Sequence, residues 1–93
     1  MKPPMFEPEM GQRAVDVAFD VTAELASAIA RYPAMNSSHE GYAVILEELD
    51  ELWDEVKKKP SVRSKTAMRE EAIQVAAMAM RFVIDICDKG DRP

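Results

Sequence analysis

Between Ala72 and Cys87 only Gln74, Arg81 and Asp85 interrupt an apolar run. The run shows no strand alternation, so it predicts a helix from about Lys65 to Asp88, with Ser64 as N-cap and Gly90 as the stop. Wound at roughly 100° per residue, its Ala, Ile, Val, Met and Phe side chains cover almost the whole circumference. Glu71, Gln74, Arg81 and Asp85, together with Met78, fall within a stripe of roughly 80°. A helix this apolar needs neighbours on most sides.

A chain of 93 residues is one small domain, and a small domain buries a smaller fraction of its surface than a large one. The rest of the sequence supplies two further helices and no strand pattern or internal repeat. The expectation is therefore an all-α helical bundle of three main helices, completed by oligomerisation as a dimer or tetramer. Met and Ala at the seam allow close, adaptable packing.

Residues 1–7 read as an extended, Pro-punctuated lead-in, and Pro8 suits the first turn of a helix running to about Arg31. Val15, Ala18, Phe19, Thr22, Leu25, Ala26 and Ile29 share one stripe of that helix, while Asp16, Asp20 and Glu24 line another. Pro33 ends it. Ser37 followed by Glu40 then forms a capping box for a helix covering Gly41 to Lys58. On this second helix Tyr42, Ile45, Leu46, Leu49, Leu52, Trp53 and Val56 form the apolar face expected to be core.

The acids of the second helix fall in rows. Of the 17 acidic residues, seven lie between Glu40 and Glu55. Glu48, Glu51 and Glu55 occupy one flank; Glu47, Asp50 and Asp54 occupy the other. Like charges three or four residues apart repel by a few tenths of a kcal/mol per pair, so each row is either solvated or binds something positive. Lys57, Lys58 and Lys59 suit the negative end of the helix dipole, with phosphate binding as the alternative. His39, the single histidine, reads as a surface residue of the first turn and a poor zinc ligand.

A net charge of -5 argues against gripping nucleic acid through its phosphates. One cysteine, Cys87, excludes an internal disulfide and fits a reducing cytoplasm. No apolar stretch approaches the ~20 residues of a membrane span. The chain is expected to be soluble and cytoplasmic.

Glu48 and Glu51 stand one turn apart on one flank, and Glu71 and Gln74 repeat that spacing on the third helix. Antiparallel packing, which a short linker demands, lets the two pairs face each other. Four oxygen-bearing side chains would then surround one point. Carboxylates without His or Cys are hard ligands, suited to Mg²⁺ or Mn²⁺.

This pattern resembles the MazG-like, all-α NTP pyrophosphohydrolase family, whose signature is ExxE, a variable gap, then ExxD. Glu48-x-x-Glu51 matches the first half, and Glu71 the first residue of the second. The flanking EGYAVILEELDELWDEVKK and REEAIQVAAMAMRF are similar to the metal-binding helices of its small members, over about His39 to Asp85. The resemblance implies Mg²⁺-dependent cleavage of a nucleoside triphosphate between its α and β phosphates. It implies Glu48, Glu51 and Glu71 as metal ligands, joined by Gln74, and Glu47 as a further ligand or the group orienting the attacking water. Lys65 and Arg69 are candidate phosphate contacts, and Trp53 either packs a base or anchors the core. The departure is Gln74, where the family has Asp: an amide oxygen ligates without charge. A metal- or nucleotide-binding relative without turnover, or a helical interaction module, is the competing reading.

Overall fold

Pro8 has no N–H to leave unsatisfied, and it opens helix α1 (Pro8–Arg31) directly after the extended Glu7. The helix closes at Tyr32, whose backbone is extended while its N–H still donates to the Ala28 carbonyl at 2.9 Å. The computed structural model describes residues 7–89. Of the expected lead-in only Glu7 is among them, and Gly90 lies outside.

Helix α2 (Ser38–Val56) starts from Ser37, whose hydroxyl accepts the Glu40 N–H at 3.1 Å. The return arm differs from a reciprocal box. The Glu40 carboxylate accepts from the backbone and side-chain nitrogens of Asn36, at 3.3 Å each. At the other end Lys57 pairs with Asp54 at 3.0 Å and Lys58 with Glu55 at 2.9 Å, so these two lysines serve their own helix.

Ser64 caps α3 (Lys65–Phe82) by accepting the Ala67 N–H at 3.1 Å. The expected single helix to Asp88 instead widens into one π-helical turn, Val83–Cys87, closed by Asp88 N–H donating to the Val83 carbonyl at 2.9 Å. No strand occurs among the described residues, and no helix among them is long and apolar enough to cross a membrane.

The central element is α3: α1 and α2 each pack along it. Gly41 at the start of α2 meets Phe82 at the end of α3, while Glu48 and Glu51 lie beside Glu71 near its start, so these two helices run antiparallel. Asp20 meets Arg69 and Ala28 meets Arg81, so α1 runs parallel to α3. The three helices form one layer with α3 in the middle. Its core is Val21, Leu25, Ala28, Met35, Ala77, Met78 and Ile86, with Val44, Ile45, Ile73 and Phe82 packed against it.

Much of the expected core face of α2, and of the apolar stripe of α1, is turned outward. On α1 the buried residues are Val21, Leu25 and Ala28, while Val15, Ile29 and Phe19 are exposed, Phe19 by 73%. On α2 Tyr42 and Trp53 are 64% and 58% exposed, Leu46 and Leu49 are also exposed, and the helix docks through Gly41, Val44, Ile45 and Glu48. The physical cause on α2 is Gly41. A Cβ there would lie 2.6 Å from Phe82 Cδ2, so only glycine lets the helix approach along this line. The docking line is rotated by roughly one 100° residue step from the centre of the apolar face. The polar stripe of α3 is likewise inverted: Arg81 and Met78 are buried in the layer, and Ala72, Ala79, Met80, Val83 and Ile84 face out.

Candidate functional site

The antiparallel pairing of α2 and α3 delivers three carboxylates to one place. One oxygen each from Glu48, Glu51 and Glu71 lies within 4.8 Å of the others. Glu48 and Glu51 share a flank because they are one turn apart on α2; Glu71 enters from the second turn of α3. Glu51 is exposed, and Glu48 and Glu71 are half-buried.

Half-burial of paired carboxylates is costly unless something positive is shared among them. Oε2 of Glu48 and Oε2 of Glu71 are both shielded from solvent with no hydrogen-bond partner in the protein. The Glu48 carboxyl is pushed up from 4.5 to about 7, first by burial, then by the Glu51 charge and a hydrogen bond with Glu51, and further by Glu71 and Glu47. Glu71 is raised for the same leading reasons, burial and then Glu51. Glu48 and Glu71 therefore hold protons more tightly than isolated carboxylates do.

Glu48 and Glu51 border a groove between α1 and α2, floored by Gln74, Met78 and Arg81 of α3 and closed at one end by Tyr32, Pro33 and Met35. Its volume is about 530 Å³, within the range of small-molecule sites. Ala28, Met35, Val44 and Met78 make its apolar walls; Glu24, Arg31, Glu40 and Glu47 stand around it with Glu48 and Glu51.

Glu47 lines the groove as an exposed residue, and Gln74 lines it half-buried. Arg69 is engaged elsewhere: its Nη2 donates to Asp20 Oδ2 at 2.6 Å, tying α3 to α1. Lys65 is exposed at the start of α3, and neither Lys65, Arg69 nor Trp53 lines the groove. His39 is exposed in the first turn of α2. Sequence reasoning missed Glu24, Arg31, Met35 and Arg81 as groove residues. For Arg81 a signal existed, since a guanidinium in an otherwise apolar helix needs buried acceptors.

The chain matches no family model, no curated protein and no solved structure.

Proposed function

We propose that the protein is a Mg²⁺-dependent nucleoside triphosphate pyrophosphohydrolase, Mn²⁺ being the alternative ion, which cleaves between the α and β phosphates to give a monophosphate and pyrophosphate. The observation that carries this reading is the cluster of Glu48, Glu51 and Glu71, with two shielded, unpartnered carboxylate oxygens, beside a groove of nucleotide size. A hard cation fits that donor set, because it supplies the positive charge the three acids lack. Glu48, Glu51 and Glu71 would hold it, with the Gln74 amide oxygen as a neutral donor close by. Bound there, the ion neutralises phosphate charge and lowers the pKa of water.

The chain's own residues have separate tasks in this reading. Glu47, exposed on the groove wall, orients the attacking water and accepts its proton. Met35, Val44 and Met78 cover the apolar faces of the nucleoside and exclude solvent. The many acids around the groove repel a bare triphosphate, so the anion enters only with its cation. We place the enzyme in the cytoplasm as a homo-oligomer, and its net charge of -5 disfavours stable nucleic-acid binding.

A second reading, binding without turnover, is favoured by one feature. Arg69 is paired with Asp20, which leaves the triphosphate without that cationic contact. Pyrophosphate release from a panel of ribo- and deoxynucleoside triphosphates, with and without Mg²⁺, separates the two. Release that requires Mg²⁺ supports the hydrolase; metal-dependent nucleotide binding without release supports the second reading.

A further inference from the structure

The groove is lined by five glutamates and by two cations, Arg31 and Arg81. Arg81 is spent. It is buried, with Nε on Asp85 and its two Nη atoms on the carbonyls of Ala28 and Tyr32, so its fork has nothing left for a ligand.

Arg31 differs in each of these respects. It stands in the last turn of α1, and its side chain is 55% exposed. Its Nε reaches the Ser27 carbonyl only at 3.4 Å, and its Nη2 lies 3.7 Å from Glu24 Oε1, beyond hydrogen-bond length. Neither Nη atom makes a hydrogen bond among the described residues. The guanidinium carbon sits 5.4 Å from the centre of the Tyr32 ring, which holds the fork at the groove wall without using its donors. Arg69, by contrast, is bound to Asp20 at 2.6 Å. An exposed pair as long as that of Arg31 and Glu24 contributes little, so a stronger anion displaces Glu24 easily.

The fork also lies along the right length of the groove. Long side chains lean towards the N-terminus of their own helix, and Arg31 accordingly reaches back towards Glu24. Glu24 and Gln74 together line both the groove and the smaller hollow beside it, and Gln74 is one turn from Glu71. Arg31 therefore faces that stretch from the α1 wall, and the three carboxylates from the side of α2 and α3.

We propose that Arg31 is the protein's own contact to the terminal phosphate of the triphosphate, and that it sets a preference for nucleoside triphosphates over diphosphates. The inference rests on the nucleotide reading of the groove. In that reading the scissile bond belongs beside the carboxylate cluster, and the third phosphate is the part of the anion that extends beyond it. The glutamates around the groove repel that group. A planar fork with free N–H groups on its open edge is the chemistry that phosphate oxygens take, and Arg31 offers it by letting go of Glu24. A diphosphate lacks the third group. A cation in a last turn also suits the helix dipole, but that role does not depend on how many phosphates a ligand carries.

Calorimetry on the whole chain, with Mg²⁺ and the non-hydrolysable α,β-methylene analogues of the common ribonucleoside triphosphates and their diphosphates, tests the proposal. The wild type is expected to bind at least one triphosphate analogue about tenfold or more tighter than the matching diphosphate, the span of one charge-assisted contact. Arg31→Gln is expected to lose that margin while binding the diphosphate analogue, and Mg²⁺ alone, as the wild type does. Arg31→Lys keeps the charge without the fork and should recover part of the margin. A margin that survives in Arg31→Gln, no margin in the wild type, or no binding of any analogue overturns the proposal. Because the analogues are not cleaved, pyrophosphate release from the natural triphosphates decides the hydrolase reading separately. A chain that shows the margin but releases no pyrophosphate keeps the role of Arg31 and loses the hydrolase. One that releases pyrophosphate and keeps the margin in Arg31→Gln loses the role of Arg31 alone.

Discussion

Arg81 Nε donates to Asp85 Oδ2 at 3.0 Å, one turn further along, and the same oxygen accepts the Met35 backbone N–H at 3.0 Å. The pair thereby fixes Arg81, only 5% exposed, in the one orientation from which its Nη1 and Nη2 reach the carbonyls of Ala28 and Tyr32, at 3.2 and 2.9 Å. The Tyr32 carbonyl lies just past the end of α1, where the helix itself offers no donor, and the Ala28 carbonyl takes the guanidinium in addition to the Tyr32 N–H. One guanidinium thus joins α1, the loop into α2 and the end of α3.

Arg81→Ala is expected to cost about 3–5 kcal/mol in urea denaturation, because it leaves the Asp85 carboxylate without its cation and the Tyr32 carbonyl without its donor. Arg81→Lys keeps the charge but not the fork, and should fall between the two. A change below about 1 kcal/mol for the Ala variant would mean the pair acts like an exposed one.

Gly41→Val places a Cβ 2.6 and 2.9 Å from Phe82 ring carbons and 3.1 Å from Met35 Sδ. Overpacking of this kind typically costs about 1–3 kcal/mol. Combining it with Phe82→Ala should cost less than the sum of the two changes, since the second removes the atoms in the way. Simple additivity in a double-mutant cycle would show that α2 does not dock through Gly41.

The helices and their caps were legible because Ser37, Ser64, Pro8 and Pro33 act locally, through hydrogen bonds or backbone geometry within a turn. The proximity of Glu48, Glu51 and Glu71 was legible for a related reason, since helical spacing and a short linker fix the register of α2 on α3. The docking faces were not. An apolar stripe marks a surface to be buried without saying whether this chain or another buries it, so Tyr42, Leu46, Leu49 and Trp53 read as core although they are exposed. The groove was hidden too, because it depends on the loop at Tyr32 to Met35 and on Arg81 reaching across to α1.

The raised Glu48 and Glu71 give the metal-free protein a characteristic pH dependence. The folded state binds more protons than the unfolded one between the ordinary 4.5 and about 7 for Glu48, so this contribution is fully present below about 4.5 and lost as pH rises through about 7. Glu48→Gln should flatten that part of the urea-stability profile. Mg²⁺ should stabilise more at about pH 8 than at about pH 5, where it competes with protons for the same oxygens. Equal stabilisation by Mg²⁺ and by monovalent salt of matched ionic strength would indicate screening alone.

Gln74→Asp adds a carboxylate beside the cluster and should tighten Mg²⁺ binding measured by calorimetry. It also removes an amide donor that lines the groove, so turnover is expected to fall by about tenfold despite the tighter metal. Tighter binding with faster turnover would instead identify Gln74 as a weakened ligand.

Glu51 is the exposed member of the three-carboxylate cluster, so Glu51→Gln changes the charge at the site with little cost in packing. The most direct measurement is pyrophosphate release by wild type and Glu51→Gln side by side, across the nucleoside triphosphate panel at saturating Mg²⁺, with helix content monitored by circular dichroism. Mg²⁺-dependent release by the wild type, lost by at least a hundredfold in a variant of unchanged helicity, is the predicted result. No release by the wild type from any triphosphate, or equal release by both proteins, would contradict the assignment of this cluster as a hydrolytic metal site.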